Sequence, residues 1–335
     1  MTQTVATPPP TWQERGLKLL RDQGILIAFL LLVIALAFAS DRFLTANNLL
    51  GVIRQVSILG TLALGVTFVV IGGNLDLSVG SMLSLTTVLV VDLHDKIGPG
   101  PAILITILVA LVIGAINGGL VGYLRLNSVI VTLGMLSVLQ GATLIYTGGK
   151  NVDIQNQDAT WFAFFGRGQL FTIGDVNINV PVVLFLGLAV VLGIVLHKTG
   201  FGRKVFAVGG NPVAANYSGL RSSRIVLYTY MMSGFTVAIG AIILGSRVMG
   251  SQNNVGEGWE LRVLAAVILG GTSLLGGSGS IFKTVIGVLI WGVIQNGLLL
   301  LGAPYYAQWI VTWIIMIVIV WLDLASRRGR LWAAT

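Results

Sequence analysis

Residues 56–91 form an apolar run with a single charged side chain, Asp76, set in Gly72-Gly73-Asn74-Leu75-Asp76-Leu77-Ser78-Val79-Gly80-Ser81. An acid inside a membrane-spanning run costs about 2.5–3.5 kcal/mol on insertion scales, so such groups face a protein interior or a water-filled path. Glycines loosen the helix on both sides of it, and Asn74, Ser78 and Ser81 add polar surface. The pattern predicts a broken helix on a transport route, with Asn74, Asp76, Ser78 and Ser81 as candidate pathway residues. A buried structural carboxyl is the competing reading of Asp76.

Composition sets the class. Of 335 residues, 55% are hydrophobic and 10% charged, and the mean hydropathy is +0.92. A soluble domain carries about 25% charged residues. An all-α, polytopic membrane protein with one integral domain is expected. The net charge of +8 does not point to nucleic acid, because the basic residues sit in connections and at the two ends. There is no cysteine, and His94 and His197 are far apart in sequence, so no disulfide, thiol or metal chemistry is expected.

Apolar windows place spans at 24–40, 57–72, 78–92, 101–122, 128–146, 180–197, 226–246, 263–275, 284–302 and 308–324. These number about ten, with short or broken helices near 72–81 and 270–280. Residues 1–23 read as a polar tail rather than a cleavable signal, and 325–335 as a basic tail. With both termini cytoplasmic, thirteen of the twenty Lys/Arg fall inside and seven outside. Segment 147–179 is then an external loop holding Trp161, Phe162, Phe164 and Phe165. Segment 198–225 is a cytoplasmic loop with five basic residues and no acid.

Gly114, Gly118 and Gly122 share one helix face and predict close helix packing. The run Gly277-Ser278-Gly279-Ser280-Ile281-Phe282-Lys283-Thr284 is not a phosphate loop, since Phe282 stands where glycine must precede the lysine. No convergent catalytic set accompanies Asp76, so pumping would need energy from a partner subunit or an ion gradient. In the 198–225 loop, Asn211 can cap and Pro212 can start a short helix through Ala214 and Ala215, with Gly219 at its end.

Three segments taken together resemble the permease subunit of ribose-type ATP-binding cassette (ABC) sugar importers. They are Leu75–Ser81, the Gly200–Leu220 loop, and Glu260–Gly302 with Gly270-Gly271-Thr272-Ser273-Leu274 and Asn296-Gly297-Leu298. Val131-Thr132-Leu133-Gly134-Met135 is a weaker match, and the resemblance covers roughly residues 40–325. It implies a homo- or heterodimeric permease in a bacterial inner membrane, with two cytoplasmic ABC ATPase subunits, an external sugar-binding protein, and no ATPase site or cofactor of its own. It also implies that Asn211, Pro212, Val213, Ala214, Ala215 and Gly219 form the segment that couples to the ATPase. The chain departs from that family at Val213, where Glu is common, at Arg262, where Asp is usual, and at Gln140, where Arg is common. The alternative class is an ion-coupled secondary transporter using Asp76. Such a transporter would not need the Asn211–Gly219 helix.

Overall fold

A computed structural model describes residues 12–155, 160–173, 176–304, 306–314, 317–318 and 321. In chain order the elements are α1 (Trp12–Ala39), α2 (Ala46–Ile71), α3 (Val79–Ile97), α4 (Pro99–Gly122), α5 (Ser128–Thr147), β1 (Val152–Asp153), α6 (Thr160–Arg167), β2 (Gln169–Ile173) and β3 (Val176–Asn179). There follow α7 (Val180–Lys198), α8 (Gly200–Gly210), α9 (Pro212–Tyr217), α10 (Ser222–Val248), β4 (Gly250–Ser251), α11 (Trp259–Leu269) and α12 (Ile281–Leu300). A last helical segment, α13, covers 306–314.

Six of these, α2, α4, α5, α7, α10 and α12, are long and apolar enough to cross a membrane, and α1 carries a shorter apolar stretch at Leu26–Ala39. The remaining expected spans take other forms. α3 is long enough but ends in Asp92, His94, Asp95 and Lys96. The window expected at 263–275 is an 11-residue helix ending at Leu269. α1 already begins at Trp12, inside the stretch read as a polar tail. Residues 1–11, 322–335 and part of the 308–324 window lie outside the described residues, and so does the expected basic tail.

The described residues are mostly helical, as expected, with two small antiparallel sheets added to the helices. β1 pairs with β4, and β2 with β3. Both lie in connections, where short strands satisfy backbone groups that no helix covers. The described part of the connection after α5 thus carries strand and helix. Phe162 on α6 is fully buried against the His94 ring at 5.0 Å, while Trp161 and Phe164 are exposed.

α10 is the hub, packed on α4, α2 and α3. Its seam with α4 is made of glycine. A Cβ at Gly114 would meet the Tyr230 carbonyl oxygen at 2.5 Å, one at Gly118 the Leu227 Cα at 2.7 Å, and one at Gly122 the Ser223 carbonyl oxygen at 2.7 Å. From the other side, Gly234 lies against the Ala110 carbonyl. The stripe expected to permit close packing does so, backbone to backbone.

The two glycine-rich breaks meet. α2 ends at Ile71, and its terminal carbonyl accepts a hydrogen bond of 2.8 Å from the Gly277 N–H. The end of α8 fills the same space. A Cβ at Gly276 would lie 2.6 Å from the Gly209 oxygen and 2.7 Å from the Gly73 Cα, and one at Gly277 2.6 Å from the Gly210 Cα. Three glycine pairs, at 72–73, 209–210 and 276–277, thus interlock just before α9. Positive φ at Gly73 (80°), Gly276 (80°) and Gly277 (68°) makes glycine the residue that fits these turns.

Candidate functional site

Asp76 is 2% exposed. It leaves the helix just before α3 and is held by a closed set of donors. Its Oδ1 accepts from the Ser78 N–H (3.1 Å) and the Ser78 hydroxyl (2.6 Å), and its Oδ2 from the Ser233 hydroxyl on α10 (2.8 Å). Asn117 Nδ2 on α4 donates to Ser78 Oγ at 2.9 Å. Tyr230 Oη donates to the Leu75 carbonyl at 2.7 Å, and the Leu75 N–H reaches Ser128 Oγ at 3.3 Å. The break is thereby pinned to α4, α5 and α10. A buried acid needs such partners, because an unmatched polar group in an apolar interior costs far more than a matched one.

The four candidate pathway residues separate. Asp76 and Ser78 belong to this buried network, and Ser81 is buried in the first turn of α3. Asn74, bonded to the Gly72 carbonyl at 3.1 Å, lines a cavity of about 920 Å³. That cavity is shared with Pro212, Val213 and Gly219 of the α9 segment and with Arg125, Arg221 and Arg224. Asp76 lines neither this cavity nor a second one described below.

α9 forms as its residues predict. Asn211 Oδ1 accepts from the Ala214 N–H at 2.9 Å, Pro212 occupies the first turn, and Gly219 takes φ 83° just past the end. Its faces differ in burial. Ala215 is 5% exposed and packs into this chain's own core, whereas Val213 is 62% and Tyr217 89% exposed. Val213 and Tyr217 are four apart and share a face.

Sequence reasoning did not single out Asn117, Tyr230, Ser233 or Tyr217. The first three had a readable signal, each being a polar group within an apolar window that must find a partner. Which partner it finds depends on the α4–α10 packing and is not local information.

A helical membrane bundle with a glycine-rich break, a large polar-lined cavity and a short capped helix beside it defines a polytopic membrane transport component. The chain belongs to the family described as branched-chain amino acid transport system / permease component, which matches residues 48–320. It is 38% identical over 301 residues to the ribose import permease protein RbsC of Bacillus subtilis (strain 168), covering 90% of this chain and 92% of that one. It is 35% identical over 306 residues to the Escherichia coli (strain K12) protein of the same name, covering 91% and 94%. To the L-arabinose ABC transporter permease protein AraH of Azospirillum brasilense it is 33% identical over 317 residues, covering 93% and 90%. No solved structure matches the chain.

Proposed function

We infer that this chain is the membrane-spanning permease subunit of an ABC importer that brings a monosaccharide across a bacterial inner membrane. One observation carries the reading: similarity to sugar permeases extends over at least 90% of the chain. The subunit supplies the route, and ATP is hydrolysed on partner ATPase subunits. An external binding protein delivers the sugar, and a second permease copy or a close relative completes the pore.

In this scheme α9 inserts into a cleft of the ATPase. The large apolar side chains it exposes are Val213 and Tyr217. Asn74 lies on the cavity that α9 shares, and that cavity is the cytoplasmic end of the route. Asn211 and Pro212 shape the helix, while Ala215 anchors it to the bundle. About ten membrane-crossing segments with both termini inside fit the bias of basic residues. The domain organisation follows: a tail over 1–23, a permease domain over 24–324 and a tail over 325–335.

The direct test is uptake by the complete importer in proteoliposomes. ATP-dependent, binding-protein-dependent entry of ribose or arabinose is the expected result. Entry of leucine and of no sugar would instead favour the amino acid substrate in the family description.

Two further outcomes are expected. Tyr217→Ala should lower co-purification of the ATPase by about tenfold or more, because an exposed aromatic knob is a typical interface anchor. Full ATPase binding would remove α9 from the interface. Because the chain has no cysteine, single cysteines at Lys150 and Tyr217 can be labelled in intact cells. Only the first should react with an impermeant reagent, and reaction of only the second would invert the topology.

A further inference from the structure

Half of the eight tryptophans line one cavity at the other end of α2 from α9. Trp259, Trp291, Trp309 and Trp313 surround a space of about 200 Å³, together with Arg262 and Gln295. Gln55 of α2 also lines it, sixteen residues before Ile71, so the cavity lies about 24 Å along the helix from the interlocked glycines. It is built on α2 and α11, the two helices that end at the glycine-rich breaks.

The geometry is that of a built pocket. Trp291 is buried and meets Trp313 edge to face, with ring centres 5.8 Å apart and planes at 75°. The Arg262 guanidinium sits over the Trp309 ring, 5.5 Å from its centre. Gln295 Nε2 donates to Thr312 Oγ1 at 2.9 Å, which fixes the amide. The two salt bridges among the described residues, His94–Asp95 and Lys96–Asp92, do not involve Arg262. The guanidinium rests on a ring face and feels the nearby Glu260 carboxylate without forming a salt bridge to it.

Interfacial tryptophans anchoring a bundle to lipid sit in a belt around its circumference. These four converge on one space and bring an arginine and two amides with them. An arginine facing hydrocarbon is costly, so the site suits a polar occupant. A monosaccharide ring has an apolar C–H face and a rim of hydroxyls. Indole planes match the first, and a fixed amide and a guanidinium match the second.

We propose that this cavity is the permease's own contact site for the transported sugar, on the side opposite α9. The site rests on the sugar reading above. With the α9 cavity it gives the route one polar station at each end of α2, separated by the buried core.

The test uses the reconstituted importer with ribose and arabinose. Trp309 is exposed at the cavity rim, so Trp309→Ala should assemble in wild-type amount. Its uptake is expected to fall about tenfold, as for loss of one ring stack with its cation contact. Arg262→Gln should shift the ratio of ribose to arabinose uptake. Trp161→Ala, exposed and outside the cavity, should change neither. Wild-type uptake and an unchanged sugar ratio in both cavity variants would overturn the site and leave the proposed function standing. Absence of sugar uptake by the unmodified importer would overturn both. Gln55→Cys provides a readout independent of uptake. It should react with a charged, water-soluble thiol reagent and be protected by the transported sugar. Reaction only with a membrane-permeant maleimide would make the cavity a lipid site and overturn the proposal.

Discussion

Gly209→Ala is expected to destabilise the protein by about 3 kcal/mol or more, while Gly210→Ala next to it is tolerated. Both replacements sit at the end of α8, and helix propensity alone would favour alanine by about 1 kcal/mol at each. Their surroundings decide the matter. A Cβ at Gly209 overlaps the Ile71 carbonyl and comes 2.8 Å from the Gly277 nitrogen, whereas one at Gly210 finds its nearest atom, Gly277 Cα, at 3.9 Å. The Ile71 carbonyl also carries the hydrogen bond from Gly277, so it cannot withdraw without uncapping α2. Thermal unfolding of the purified protein checks this. Equal melting temperatures for the two variants would show that the glycine junction is loosely packed.

Asp76→Ala should lower stability by about 1–3 kcal/mol, since it removes the acceptor of three hydrogen bonds and leaves buried donors without a partner. Asp76→Asn should be milder. Its amide oxygen can still accept from the Ser78 N–H and hydroxyl, and its NH₂ can donate to the Ser233 hydroxyl. Ser233→Ala should cost least, about 0.6 kcal/mol, because one interhelical bond in a membrane bundle contributes about that much. Uptake per folded transporter should remain near wild type throughout this series. A variant with wild-type melting behaviour and abolished uptake would return Asp76 to the pathway and revive the ion-coupled alternative.

Much of the fold was legible because single residues announce it. Glycine pairs marked both breaks, Asn211 and Pro212 marked the start of α9, and the four-residue glycine spacing marked the α4 seam. What stayed hidden was long-range. Nothing local says that Gly73 and Gly276 are neighbours across two hundred residues, or that Ser233 belongs to Asp76. The candidate site was half legible for the same reason. The break was found, but its side chains divide between a cavity and a sealed network according to which face each presents. The same limit applies to α9, where adjacent alanines have opposite fates: Ala215 is buried and Ala214 exposed.

The glycine seam between α4 and α10 has a mechanical consequence. Two helices joined main chain to main chain have few side-chain rotamers to exchange at their contact, so the pair behaves as a strut of fixed angle. Any change of shape during the proposed transport must be absorbed elsewhere. The suitable place is α5, where only Thr132, Leu139 and Thr143 are buried.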